Sequence, residues 1–369
     1  MSQPGRKVDP WIITSPLHQA SVLQGDSDLV KARTMIKRIL AATIVSLTAV
    51  FISLPSATNG QATKLVVAYS SPAATFSPGW IAKREGLFAK HNLDVEMVLM
   101  QGPSTYMPAL ASGNIQVMYG GGTAISRAIG TGGFDLVVVA TETRYVPMRL
   151  MVLPSIRTAL DLKGKKLGVG RAGLDEYAAL LYLDRVGLVP GKDVQIVYMA
   201  GGIPNRATAM KQGLVDGVVV NPPNEYELEK AGYYELANFL DFKMPYAGVP
   251  QTVMKSFRDR NRRALEDYIG AIVEGMQIFR SNRDIGYRAI AEATRQKDPV
   301  ILARTYDSYS KQYDAINGLP FPWQAGIEGM ITGFHERFSP QGIKNRDAKL
   351  FLDSSFVQKA AERLKLDKK

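Results

Sequence analysis

From Thr63 onward the apolar positions fall into two alternating patterns: short β-branched runs, and longer stretches in which apolar residues recur at helical spacing. That alternation marks layered α/β architecture. Residues 65–69 (Leu-Val-Val-Ala-Tyr) read as a buried strand. A Ser/Pro-rich loop follows over 70–78, then a helix through Trp80 to Phe88. Residues 94–99 alternate as a second strand, and a helix over 104–113 ends on Gly113, where glycine suits a C-terminal cap. A third strand over 115–119 runs into Gly120-Gly121-Gly122-Thr123. A fourth over 134–141 is almost wholly apolar, as buried parallel strands are. A second set of the same units follows: strand 166–170, helix 174–186, strand 194–199, short helix 207–213 and strand 215–220. Pro222-Pro223 then opens a helix through Glu229. Beyond Tyr246 long helical patterns dominate, over 262–280, 284–294, 299–313, 324–338 and 355–364.

The first 62 residues follow a different pattern. Lys31, Arg33, Lys37 and Arg38 form a basic region, an apolar stretch covers 39–54, and Pro55 breaks it. Gly60-Gln61-Ala62 supplies the small residues a signal peptidase needs. The apolar run is shorter than the ~20 residues that span a bilayer, so a signal peptide over 35–62 is expected, with an uncleaved anchor as the alternative. Residues 1–34 lack hydrophobic periodicity, and Met35 opens an ordinary start, so an over-extended start is expected there. The mature chain is then expected to begin near Thr63 and to be periplasmic.

A length of 369 residues exceeds what one core usually serves, which favours two lobes. Lys and Arg total 45 against 34 acids, a net +11; the leader carries six bases and three acids, leaving +8. That excess admits nucleic acid, an anionic membrane or anionic small ligands as partners. Without dense Lys/Arg runs or interleaved aromatics beyond the leader, nucleic-acid binding is not expected. The absence of cysteine excludes disulfides, thiolate zinc sites, cysteine nucleophiles and a lipoprotein anchor. Of three histidines, His18 falls in the leader, His91 in a Lys-His-Asn turn expected to be solvated, and His335 mid-helix in a structural role. No catalytic residue, metal site or cofactor is expected.

The sharpest local motif is Gly168-Val169-Gly170-Arg171-Ala172-Gly173, a G-x-G-x-x-G between strand and helix. A dinucleotide site needs an acid at the end of the next strand, but that strand ends Tyr198-Met199-Ala200. The alternative is a polar or anionic ligand held by backbone N–H groups at a helix N-terminus, with Arg171 as a charged clamp. Similar turns follow three other strands: Ser70-Ser71, Gly121-Gly122-Thr123 and Asn221. Each alone reads better as a helix cap than as a ligand contact; together they lie where a cleft between α/β layers belongs. Tyr69, Phe76, Tyr119 and Tyr246 offer faces for a planar ligand or ordinary core packing, and Asp175-Glu176 reads as helix N-terminal charge.

Residues 77–96, Ser-Pro-Gly-Trp-Ile-Ala-Lys-Arg-Glu-Gly-Leu-Phe-Ala-Lys-His-Asn-Leu-Asp-Val-Glu, resemble the A-x-x-x-G-L-F-x-x-x-G-L-x-V-E signature of nitrate/sulfonate/taurine-type substrate-binding proteins of ABC importers. Their superfamily also holds thiamine-pyrimidine-precursor binders. Residues 109–117 resemble its A-L-x-x-G-x-I-D stretch, and 160–169 its D-L-K-G-K-x-V-G-V stretch. Asn92 replaces the usual glycine and Gln116 the usual aspartate, both at positions expected to be structural. The resemblance implies a type II periplasmic-binding fold: two α/β lobes joined by two crossover segments, near Arg149 and Tyr246, with a ligand cleft between them. It implies lobe 1 over 63–148 and 247–369 and lobe 2 over 149–246. It also implies a monomer that captures a small-molecule solute by closing its lobes and delivers it to an ABC permease in the inner membrane. Carried over position by position, Ser70, Ser71, Phe76, Gly121, Gly122, Thr123, Thr141, Arg171, Ala172, Gly173 and Asn221 are the expected ligand contacts, and a small organic anion is the expected ligand. One branch of the superfamily is a set of pyrimidine synthases with a cysteine-rich motif that this chain lacks. A cytosolic enzyme and a ligand-presenting sensor are the alternatives.

Overall fold

The computed structural model describes residues 61–366, so the expectations for the leader and start fall outside the described residues. Two five-stranded sheets organise the chain. In the first, β1 (Thr63–Tyr69) is followed by helices α1 (Ser77–Arg84) and α2 (Leu87–Lys90), then β2 (Leu93–Leu99), α3 (Pro103–Ser112), β3 (Val117–Tyr119), α4 (Gly122–Thr131) and β4 (Leu136–Tyr145). The chain then passes to the second sheet: β5 (Arg149–Val152), β6 (Lys166–Val169), α5 (Leu174–Arg185), β7 (Gln195–Tyr198), α6 (Gly202–Lys211), β8 (Gly217–Val220), α7 (Asn224–Lys230) and β9 (Tyr234–Asn238). It returns through β10 (Pro245–Met254) to a helical tail: α8 (Lys255–Arg260), α9 (Arg262–Ser281), α10 (Arg283–Thr294), α11 (Pro299–Asp314), α12 (Gln324–Met330), a π turn at Ile331–His335, α13 (Glu336–Phe338) and α14 (Ser355–Arg363).

The strand orders are β2-β1-β3-β10-β4 and β7-β6-β8-β5-β9. In each sheet four strands run in one direction, and the fifth, inserted antiparallel among them, comes from the chain's passage between sheets. This is the two-lobe α/β fold expected from the sequence. The hydrophobic pattern did not reveal β5, β9 or β10. β10 is the instructive miss: Pro245, Gly248 and Pro250 interrupt it, and Val249 is left-handed at φ 51°. Proline is ordinarily confined to sheet edges or irregular places because it cannot donate. Here Pro250 contributes only its carbonyl, which accepts from the Gly120 N–H at 2.8 Å, and the ladder shifts register on either side. α6 begins five residues before the expected 207, because Gly202 and Pro204 disguise its first turn.

Both departures from the family signature have physical reasons. Asn92 adopts φ 56°, a left-handed conformation that asparagine tolerates better than most residues. Gln116 accepts from the Val66 N–H at 2.8 Å and donates to Gly113 O at 2.7 Å, so its amide ties β1 to the turn before β3. His91 departs from its expected solvated role. It is half-buried, with Nδ1 3.9 Å from Asp267 Oδ1 and Nε2 3.9 Å from Glu274 Oε2 on α9. His335 is structural as expected, its Nε2 donating to Thr123 O at 3.0 Å and lying 2.9 Å from Ser126 Oγ.

The tail covers the first sheet. α9 approaches α1 closely at Gly275, where a Cβ would sit 2.4 Å from Pro78 O. The tail also reaches the second sheet: α7 meets it through Lys230–Asp298 (2.6 Å) and Arg304–Glu229 (2.7 Å), and Tyr177 of α5 donates to Pro245 O at 2.6 Å. Such exposed ion pairs add little each.

Beneath this cover Glu142 of β4 is fully buried, with Gln251 Nε2 donating to its Oε1 at 3.0 Å and Tyr268 donating to Gln251 Oε1 at 2.9 Å. Burial pushes the Glu142 carboxyl up to about 8. The folded chain therefore holds a proton that the unfolded chain, with a carboxyl near 4.5, releases between those values. Stability from this site is fully present below the unfolded value and is lost as pH rises toward 8. The melting temperature should fall between pH 5 and pH 8, and Glu142→Gln should show a smaller fall over the same range in thermal unfolding scans; equal falls would place the titration elsewhere.

Candidate functional site

Parallel strands deliver their following helices to the carboxyl edge of a sheet, so two facing sheets bring helix N-termini together. Here four first turns line one cavity of about 550 Å³ between the sheets: those of α3 and α4 from one side, α5 and α6 from the other. Each has glycine at the N-cap (Gly102, Gly121, Gly173 and Gly201), and none of these glycines can supply a capping side chain. The unsatisfied N–H groups and aligned peptide dipoles of such termini favour negative charge.

The two central termini differ. At α5, Asp175 Oδ2 accepts from the Gly170 N–H at 2.6 Å and Glu176 Oε2 from the Ala172 N–H at 2.5 Å. The loop amides expected to receive an anion at the G-x-G-x-x-G motif are thus already occupied by the helix's own carboxylates. At α4 no side chain caps the first turn. Its neighbours leave no room for one: a Cβ on the N-cap Gly121 would lie 2.8 Å from the Tyr106 hydroxyl of α3, and one on Gly122 2.4 Å from Ala247 O of the returning chain. Gly121 also sits at φ 71°, a left-handed conformation that glycine adopts without strain. Of these two, α4 is therefore the terminus open to a ligand; the starts of α3 and α6 likewise carry no side-chain cap.

Ten of the eleven expected contacts line this cavity: Ser70 and Ser71 past β1, Phe76, Gly121-Gly122-Thr123 past β3, Arg171-Ala172-Gly173 past β6, and Asn221 past β8. Thr141 does not. It is buried on β4, where its N–H donates to Pro320 O at 2.8 Å and its hydroxyl accepts from the Trp323 N–H at 3.4 Å. It secures the tail to the sheet.

The charged lining consists of Arg171, Arg206 and Asp175. Arg206 and Asp175 are buried and paired, Nε to Oδ2 at 2.9 Å. Burial raises the Asp175 carboxyl while Arg206 opposes the shift. Arg171 is exposed, lies over the Tyr198 ring at 3.9 Å, and has no carboxylate partner among the described residues, which leaves its charge available. The hydroxyls of Tyr106 and Tyr246 are raised by burial, and that of Tyr198 is pushed up to about 12, so all three keep their protons near neutrality. His335 supplies no cation, since burial lowers it to about 4. Sequence reasoning missed Thr75, a lining residue whose hydroxyl is buried without a partner, and Arg206. Thr75 was hidden in the loop after β1; Arg206 would have needed the knowledge that α6 begins at Gly202. Two neighbouring cavities widen the cleft, one of about 900 Å³ toward Phe334 and Phe338 and one of about 640 Å³ toward Trp80. Among the described residues no group of three or more His, Asp or Glu is placed to hold a metal ion.

Comparison with known proteins agrees with this architecture. The family profile described as NMT1/THI5 like matches residues 73–282. No curated protein sequence matches. Among solved structures, the alkanesulfonate-binding protein SsuA from Xanthomonas axonopodis pv. citri, bound to MOPS, aligns over 79% of this chain and 98% of its own at 18% identity and TM-score 0.62. The periplasmic aliphatic sulphonate binding protein SsuA from Escherichia coli aligns over 76% and 95% at 21% identity and TM-score 0.61. The periplasmic nitrate-binding protein NrtA from Synechocystis PCC 6803 aligns over 83% and 90% at 16% identity and TM-score 0.69. At these identities the likeness establishes the fold.

The buried pair offers a direct test of the site's construction. Arg206→Ala leaves the Asp175 carboxyl buried without its cation and should cost about 3 kcal/mol in denaturant unfolding, whereas Arg206→Ala with Asp175→Asn should recover part of that loss. Strict additivity of the two substitutions would mean that the pair is not coupled.

Proposed function

The chain belongs to the NMT1/THI5-like family, and from that premise we propose that it is an exported solute-binding protein. It captures a small organic anion in the cleft between its sheets and hands it to an ABC permease in the inner membrane. The observation that carries this reading is the uncapped N-terminus of α4, facing the cavity together with three other helix starts and the unpaired Arg171. Such a site binds an anion without chemistry: peptide N–H groups and hydroxyls satisfy its oxygens and a guanidinium its charge. The adjoining cavity toward Phe334 and Phe338 has room for an apolar body. Capture proceeds by approach of the lobes, 63–148 with 247–369 on one side and 149–246 on the other, about the segments that join the sheets. A periplasmic location is that of the sulphonate- and nitrate-binding proteins whose fold it shares, and the chain acts there as a monomer.

A thermal-shift screen of the purified protein against alkyl and aryl sulfonates, aromatic carboxylates, nitrate, thiamine precursors and nucleotides tests the proposal. A melting temperature that rises with the concentration of one small anion is the expected outcome, since a ligand that binds only the folded state stabilises it by mass action. A rise with a dinucleotide alone would overturn the reading. With the ligand in hand, Arg171→Ala should weaken binding by ~2 kcal/mol, about thirtyfold, in calorimetric titration. Unchanged affinity would remove Arg171 from the site.

A further inference from the structure

A separate cavity of about 730 Å³ lies away from the cleft, where the chain crosses between sheets. Its wall is drawn from Arg144, Tyr145 and Arg149 around the first crossing, the stretch from Asn238 to Lys243 at the second, Tyr226 of α7, and α11 from Arg304 with the turn just past its end. No residue of this wall lines the central cavity.

The wall carries five cations, and two are accounted for. Arg149 Nε lies 3.3 Å from Glu235, and Arg304 Nη2 lies 2.7 Å from Glu229. The other three, Arg144, Lys243 and Lys311, have no carboxylate within ion-pair distance among the described residues. The two acids in the wall do not neutralise them: Asp307 is engaged by Arg283 at 2.9 Å, and Asp241 forms no ion pair among the described residues. Three cations without carboxylate partners, drawn from three separate segments, repel one another, and one multiply charged partner relieves that repulsion at all three.

We propose that this cavity is a second ligand site, one that takes a multivalent oxyanion, whose anionic oxygens Arg144, Lys243 and Lys311 bind. Because both crossing segments and α11 contribute, occupancy ties these three parts of the chain together.

Citrate, with three carboxylates and a hydroxyl, is the probe, titrated calorimetrically into the full chain at low ionic strength. One citrate per chain is expected, weakening steeply with added salt. Arg144→Ala, Lys243→Ala and Lys311→Ala combined should lower affinity at least about tenfold, while Arg171→Ala in the cleft should leave it unchanged. The three cations are exposed, so the variant is expected to fold; should its melting temperature drop, Lys311→Gln alone replaces it and should still weaken binding. Absence of binding at millimolar citrate, binding indifferent to the three cations, or binding abolished by Arg171→Ala overturns the proposal.

Discussion

The constraint on which the rest of this structure depends is the insertion of β10 between β3 and β4. β3 is only three residues long and needs partners on both sides; β1 supplies one and the returning chain the other. That return brings the Ala247 carbonyl so close to the start of α4 that position 122 admits only glycine, and it places the Pro250 carbonyl on the Gly120 N–H. The returning strand thus leaves no space for a side chain at the first position of α4, while Tyr106 of α3 crowds its glycine N-cap. The helix start that results is exposed to the cleft with its N–H groups unclaimed. The mirror arrangement in the second sheet, where β5 lies antiparallel beside β8, makes the two sheets share both connecting segments.

Electrostatics then distinguishes the two walls of the cleft. Four helix starts in one place raise the local potential, and an empty cleft must tolerate it. On the second-sheet side the chain meets that demand itself, with Asp175 and Glu176 folding back on the loop before α5 and Arg206 offsetting Asp175. On the first-sheet side it does not. The asymmetry assigns anchoring to the α4 start and leaves Arg171, stacked on Tyr198 at the surface, as the charge free to meet a ligand from the opposite wall.

The sequence made the layered architecture readable because parallel strands buried on both faces appear as continuous apolar runs, and amphipathic helices announce themselves between them. The ligand loops were readable for a related reason: Ser70-Ser71, Gly121-Gly122-Thr123 and Asn221 each follow such a run, where a cleft must lie. What stayed hidden was set by tertiary contact. β10 carries two prolines and a left-handed valine, features that argue against a strand until Gly120 is seen to need only its carbonyl. Thr141 looked like one more strand-end hydroxyl, yet β4 continues past it to Tyr145 and the tail claims it. The G-x-G-x-x-G loop lines the cavity as expected, but its own helix supplies the carboxylates that fill its amides.

A net positive chain need not place its charge where its ligand binds, and this one divides it. The central cavity has two cations and an acid, with most of the attraction coming from peptide dipoles that carry no formal charge. Three cations without carboxylate partners among the described residues instead gather where the chain crosses between sheets. Dipoles at helix starts are fixed by the fold and discriminate by geometry, whereas long flexible cations discriminate by total charge and weaken in salt. The two cavities are therefore suited to different anions: a small one with an apolar body in the cleft, and a compact multivalent one at the crossing.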